Sequence, residues 1–453
     1  MPKKSLSLAL CGVLALPSLA AVAGLLSLDE AIRHALSQNL ELRASDRQVQ
    51  AADARADAAR GAFLPQVGVR YLVRRSDNPL DAFADKLNTR AVTSADFDPA
   101  RLNNPETSTL HATQLSVELP IYTGGRLVAG MREAGAYAEA ARLSYERRQQ
   151  ATVYNTLHAY RAAQAAAIAV TIANDAVEAA REQAETTARL VRQGRIVASD
   201  RMTAELNLAA AESMREQAAH RQRLAIEELR LVTGLAADAE LVLPPWESRS
   251  ERPPAVVPAS AESEQRALAT RKDLKANEAL LTASRTRITA ARAAFQPQVG
   301  VVAADSWYDD NAALNNKSQS IMGVVSLNLF NGRRDWHGLT AAQRDSEQTE
   351  LRLEGARQAV RNEVRAAASR LTEATARRQI AAQSVDKARE NVRLVKQRYG
   401  EGRTILIDLL MAERVLVEAR NEELAAGLAQ ELSAAQLQFA EGSLALPGDA
   451  SAQ

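Results

Sequence analysis

Between residues 63 and 74 apolar and polar side chains alternate almost strictly. Phe63, Pro65, Val67, Val69, Tyr71 and Val73 share one parity, and Gln66, Gly68, Arg70, Leu72 and Arg74 share the other. A period of two marks a half-buried strand. The alternation returns at Leu115, Val117, Leu119 and Ile121 against Gln114, Ser116 and Glu118. It returns again at Phe295, Pro297, Val299 and Val301 against Gln296, Gln298 and Gly300, and in the run Ile321, Gly323, Val325, Leu327, Leu329. These segments predict two strand hairpins, 63–122 and 295–330. Each strand is about ten residues long, enough to span a bilayer when tilted.

The rest of the pattern is helical. Ser27-Leu28-Asp29-Glu30 is a capping box opening a stretch that runs to about residue 62. No proline interrupts 124–193 or 332–401. Each would be about 105 Å long if continuous. Residues 200–233, 259–294 and 404–440 are about half that length. Two half-length helices placed end to end match one long helix, so the pattern predicts two long rods and two composite ones. Between the first two strands, DNPLDAFADKLNTRAVTSADFDPARLNNPETS is rich in Asp, Asn and Pro, and reads as a loop.

The elements come in duplicate. FLPQVGV at 63–69 returns as FQPQVGV at 295–301, 232 residues later. LPIYTGGR at 119–126 aligns with LNLFNGRR at 327–334, now 208 apart. Gly194, Arg195, Asp200 and Glu205 align with Gly402, Arg403, Asp408 and Glu413 at that same spacing. The first copy therefore carries 24 extra residues in its hairpin. The chain divides into a segment 1–23, repeat 1 at 24–234, a Pro-rich linker at 235–258, repeat 2 at 259–441 and a tail at 442–453.

Composition narrows the class. Charge is balanced at +1 over 453 residues, which offers no electrostatic case for nucleic acid. Lys3 and Lys4, the apolar run from Leu6 to Leu16 and the small residues to Ala23 have the form of a cleaved secretory signal. The one cysteine, Cys11, lies inside it, so a mature chain would have no disulfide framework. Aromatics mark both ends of the strands: Phe63, Tyr122, Phe295 and Phe330 at one rim, Tyr71, Trp307 and Tyr308 at the other. Such girdles belong to outer-membrane barrels. Four strands cannot close a barrel, and an open edge in lipid leaves backbone groups unpaired. Subunits must share one, and the polar parity (Gln66, Arg70, Gln114, Glu118, Gln298) suits a wet lumen.

With SLDEAI, the paired FxPQVGV segments, LPIYTGGR with LNLFNGRR, and the two glycine-centred helix turns, the chain resembles the TolC family of outer-membrane channels. The resemblance covers essentially all of the mature chain. It implies a mainly α fold: tandem-duplicated long antiparallel helices plus four strands per chain. A homotrimer would form a 12-stranded barrel in outer-membrane lipid and a helical tunnel in the periplasm. It also implies an exit duct for an inner-membrane pump, joined through a periplasmic adaptor, in multidrug efflux or type I secretion.

Each FxPQVGV would then be where a periplasmic helix becomes a membrane strand, with Phe63, Pro65, Phe295 and Pro297 at the change. Gly194 and Arg195, and Gly400 and Gly402, would lie at the periplasmic tips that dock the adaptor. Entrance gating falls, by the same resemblance, to Asp200, tethered to Tyr399 on the neighbouring hairpin, and to a ring of Asp408. The chain departs from the family pattern at Met411, where a second aspartate ring would stand. It departs again at Thr404, where the pattern has an arginine and Arg403 sits one residue earlier. The plainer role for Asp200 and Asp408 is to cap the returning helices.

The histidines show no metal-ligand spacing, and no catalytic constellation stands out, so neither cofactor nor catalysis is expected. The competing class is a periplasmic coiled-coil adaptor without a channel. It would leave membranes in high salt, whereas a barrel needs detergent.

Overall fold

The computed structural model describes residues 25–236, 241–246 and 260–446. The proposed signal at 1–23, most of the linker and the end of the tail lie outside the described residues.

Two long helices dominate: α5 (Arg126–Arg192) and α9 (Arg334–Gly400), each of 67 residues. At 1.5 Å per residue each is about 100 Å long. Each turns back into a helix of 36 residues, α6 (Ala198–Thr233) and α10 (Leu406–Glu441). The composite rods are completed by α1 (Leu28–Gln38) with α2 (Leu40–Gly61), and by α7 (Ser260–Thr270) with α8 (Lys272–Arg292). Helices α5 and α9 pack along these shorter partners, and alanine is the commonest buried residue of α5 and α9, followed by valine, threonine and glutamine. Small side chains let helix axes approach closely over a long seam.

The helical stretch expected to run unbroken to residue 62 is interrupted at Asn39. Its backbone is extended (ψ 122°) between α1 and α2. Its side chain accepts from the Leu42 N–H and donates to the Val232 carbonyl on α6, at 3.0 Å. A cap made locally and a contact made 193 residues away together outweigh helix propensity. Repeat 2 breaks likewise at Arg271 (ψ 124°).

Four antiparallel strands form one sheet in the order β1-β2-β3-β4: β1 (Gln66–Ser76), β2 (Ser108–Thr123), β3 (Gln298–Asp309) and β4 (Asn316–Ser326). The strands begin later than the alternation suggested. Phe63 and Phe295 belong to the turns after α2 and α8, and Pro65 and Pro297 stand one residue ahead of β1 and β3. Proline, with no N–H to give a ladder, is tolerated there. Leu327 and Leu329 lie beyond β4. A bulge between Pro120 and Tyr122 sets Tyr122 opposite Val299, so Tyr122 takes the place that alternation gave Ile121. Tyr308 pairs with Ala112, one position from Trp307, and so faces the other side of the sheet.

The Asp/Asn/Pro-rich stretch read as a loop is folded. It contains α3 (Pro79–Asn88), a 3-10 turn (Ser94–Phe97) and α4 (Pro99–Asn103). The residues that signalled a loop are start signals. Asn78 and Asp98 cap the two helices, and Pro79 and Pro99 occupy first helical positions, where a missing N–H costs nothing.

Candidate functional site

At the end of the bundle away from the sheet, both long helices stop in the same way. Gly194 (φ 69°) and Gly402 (φ 72°) take the left-handed conformation. The Arg195 N–H reaches the Leu190 carbonyl at 3.0 Å and the Gly194 N–H reaches Val191 at 2.9 Å. The Arg403 and Gly402 N–H groups repeat this to Arg398 and Tyr399, at 2.9 and 3.0 Å. This double closure satisfies the last helical carbonyls, and a left-handed residue there favours glycine. Gly400 ends α9, and Gly194, Arg195, Gly400 and Gly402 are all exposed.

Tyr399 is half-buried against Ala184, Ala204, Leu208, Leu406 and Leu410, and so helps pack the two tips of one chain together. Asp200 and Asp408 stand in the first turns of α6 and α10, where the helix dipole favours an acid. Asp408 also accepts from the Thr404 hydroxyl. Arg403 pairs with Glu401 in its own turn, at 2.9 Å. Among the described residues, no hydrogen bond or ion pair joins Asp200, Tyr399, Arg403 and Asp408 to one another.

Instead, α5 is tied to the second hairpin by pairs the sequence reading did not single out. Glu182 meets Lys396 at 3.3 Å and Asp175 meets Arg420 at 3.1 Å. Close by, burial pushes the Glu413 carboxyl above its ordinary value; Lys396 opposes the shift and Glu182 adds to it. Nothing in the local sequence marks these partners, which stand more than two hundred residues apart. Val197, Met202, Leu206, Ile405, Ile407 and Met411 are exposed around the tips.

At the other end, the sheet has two faces. One carries Val67, Val69 and Val73 on β1, Leu115, Val117 and Leu119 on β2, Val301 on β3 and Ile321 on β4. Tyr71, Thr113 and Trp307 lie in one row across it. The other face carries Gln66, Arg70, Arg74, Gln114 and Glu118, continued by Ser306 and Ser318. Among the described residues, neither β1 nor β4 has a neighbour on its outer edge. Where repeat 1 leaves the sheet, Gly124 (φ 63°) lies so close to where repeat 2 enters it that a Cβ there would meet Gln296 Cβ at 2.6 Å. The two crossings are thus packed directly on each other. No helix is long and apolar enough to cross a membrane, among the described residues. No cluster of His, Cys, Asp and Glu there could hold a metal ion.

The model of the outer membrane efflux protein family matches residues 31–235 and 264–443, nearly the whole of both repeats. The chain belongs to the outer membrane efflux protein family. It is a TolC-like outer-membrane exit channel of the kind used by efflux and secretion systems. The alkaline protease secretion protein AprF of Pseudomonas aeruginosa is 23% identical over 86% of this chain and 78% of its own length. In fold, the family member described here is similar to CusC, with a TM-score of 0.79 at 19% identity over 92% of each chain. It is similar too to the Campylobacter jejuni CmeC outer membrane channel, at 0.78 and 17% identity over 92% of this chain and 85% of that one. The open-state Neisseria gonorrhoeae MtrE channel gives 0.72 at 19% identity, over 92% and 89%.

Proposed function

We propose that three copies of this chain close one 12-stranded barrel and that their helices form a tunnel through which cargo passes without chemistry. The observation that carries this is a four-stranded sheet with a mainly apolar face, on which Asp305 is neutralised by Lys317 at 3.0 Å, a polar face and two open edges. Such edges are untenable in a bilayer unless neighbours pair with them. Twelve strands leave a lumen where eight would be filled by side chains.

The two glycine-centred tips, with Gly194, Arg195, Gly400 and Gly402 exposed beside a rim of apolar side chains, would dock a periplasmic adaptor that leads to an inner-membrane pump. Asp200, Tyr399, Arg403 and Asp408 would line the entrance, and any tether between Asp200 and Tyr399 would form between copies. Glu182–Lys396 and Asp175–Arg420 would hold the two hairpins of one copy together. The likeness to AprF favours a polypeptide as cargo.

The test uses the signal-segment position of Cys11, the chain's one cysteine. A single Ser199→Cys at the exposed tip is coupled to a short cross-linker in cells. Capture of the adaptor of an ATP-driven exporter is the expected result. Capture of the adaptor of a proton-driven pump would replace polypeptide cargo with small molecules. Capture of surface or outer-membrane proteins alone would overturn the periplasmic orientation of the tip.

A further inference from the structure

The 24 residues that repeat 1 has and repeat 2 lacks fold onto one particular face of the sheet. Arg74, on the polar face, pairs with Asp81 at 2.9 Å and with Asp85 of α3. Ser108 on the same face donates to Asp85 at 2.7 Å. Leu110, which pairs with Arg74, is buried. Just past the end of α3, Arg90 donates to the Lys317 carbonyl at the start of β4, at 3.1 Å. Helix α3 thus runs from the end of β1 across to β4. Its 10 residues, about 15 Å long, match the roughly 14 Å spanned by four adjacent strands.

The polarity of α3 is inverted. A surface helix normally buries an apolar stripe and shows its charges. Here the buried positions are Ala82 and Asp85, and Asp81 also points to the sheet. Leu80 (78% exposed) and Leu87 (54%) lie seven residues apart on the same stripe. Phe83 extends it by packing edge-on against Phe97, itself 62% exposed. A second set of polar contacts fixes the unit: Lys86 pairs with Asp96, and Asp96 accepts from the Thr93 N–H and hydroxyl. A rigid unit that spends its charges inward and holds an apolar stripe outward is built to be covered.

We infer that residues 77–107 form a lid over the outer mouth of the barrel, closed by contact of the Leu80, Leu87 and Phe97 stripes of the three copies. The inference rests on the three-copy barrel proposed above. The polar face of the sheet is the lumen side, so a helix lying on it at the end away from the tunnel turns its far face to the barrel axis. Only other copies of this chain occupy that space. Twelve strands spaced about 4.8 Å apart and tilted about 40° enclose a backbone diameter of about 24 Å. Three helices about 10 Å across fill that opening. The second hairpin, joined by residues 310–315 alone, brings no such element. The closure is therefore a property of repeat 1. Its opening needs the stripes to part while the Arg74 and Arg90 contacts hold each unit at its rim.

Two measurements on the full chain in outer membranes test this, with the oligomer counted by native mass spectrometry in each sample. In the first, Leu87→Cys is oxidised, and disulfide-linked dimers are expected from pairs among the three copies. In the second, a lumen-facing Gln114→Cys is exposed to a polymer-bound maleimide added outside the cells. Labelling is expected to be at least tenfold faster once Leu80, Leu87 and Phe97 are changed to Ser. A trimer in which Leu87→Cys stays unlinked, or in which the Ser changes leave labelling as slow as before, overturns the lid and leaves the barrel standing. A monomer in membranes overturns both.

Discussion

Asn39 and Arg271 stand 232 residues apart at the same point of the two repeats, and they solve one problem with different chemistry. Each breaks a composite rod with an extended backbone (ψ 122° and 124°). Each reaches a carbonyl of its own returning helix, Val232 in repeat 1 and Ala440 in repeat 2, themselves 208 apart. Asn39 does this with a neutral amide that also caps α2. Arg271 is only 5% exposed and holds Asp273 through two hydrogen bonds of 3.0 and 2.7 Å and Glu363 of α9 through one of 2.7 Å. Burial works against its charge, and those two carboxylates outweigh it, raising its pKa. Beside it, Arg147 of α5 lies over the Phe439 ring at 3.6 Å and is pushed down to about 10, by burial first and by the Arg271 charge second. The backbone joint is shared by both repeats, and the side chains that hold it are not. Joint 1 is a cap with one neutral hydrogen bond to α6, whereas joint 2 is a charged knot tying α8, α9 and α10.

The largest break in this comparison is Arg271→Ala. It leaves the Ala440 carbonyl without its side-chain donor and Asp273 and Glu363 without their cation; because both carboxylates are more than a third exposed, the cost is about 2–3 kcal/mol, below that of a fully buried pair. The midpoint of helix loss on heating, followed by circular dichroism in detergent, should fall steeply, and trypsin should cut near the joint. A fall no larger than that of Asn39→Ala would show the knot to be dispensable. Asn39→Ala itself removes one cap and one long-range hydrogen bond, and should cost about 1 kcal/mol. Its effect should show as faster proteolysis near residue 39, with the second repeat still protected.

Two smaller differences sharpen the contrast. Gly125 precedes α5 at φ 86°, while its equivalent before α9 is Arg333, held at φ 68°. Arg333→Gly should therefore stabilise, by up to about 1 kcal/mol, and raise the melting midpoint. Gly125→Arg should lower it. At the tips, Glu205 is exposed and meets Arg201 at 3.5 Å, whereas its equivalent Glu413 is half-buried with a raised pKa, burial being the main cause. A carboxyl whose folded pKa is raised destabilises the fold when charged. That penalty is present above its folded pKa and disappears as pH falls through it toward the ordinary value. Glu413→Gln should thus raise the midpoint slightly at pH 8, and the gain should vanish by pH 4.

Much of the architecture was legible in the chain because its causes are local. Alternation of Val67, Val69 and Val73 with Gln66, Gly68 and Arg70 needs only the geometry of a strand to declare two faces. The tips were legible at Gly194 and Gly402 because a left-handed turn favours glycine wherever it occurs. What failed were readings in which one signal has two meanings. Asn78-Pro79 and Asp98-Pro99 mark turns and helix starts equally well, and only the folded insertion distinguishes them. The unbroken helix to residue 62 failed because the Val232 carbonyl that draws Asn39 out of the helix is invisible from residue 39. Of the gating candidates, Arg403 pairs with Glu401 inside one chain, and a part at the entrance depends on contacts between copies that no local signal specifies.

The amino-acid sequence by itself determined the duplication, the rod lengths, the parity of the strands and the places where the chain turns. These follow from periodicity and from residues whose backbone preferences act without partners. The tertiary structure alone decided which carbonyl each joint captures, which carboxylates surround Arg271 and which row the bulge gives to Tyr122. It alone decided that α3 turns its charges to the sheet and its leucines away. Each of these depends on side chains brought together from distant parts of the chain, and a pairing energy exists only once both partners are in place.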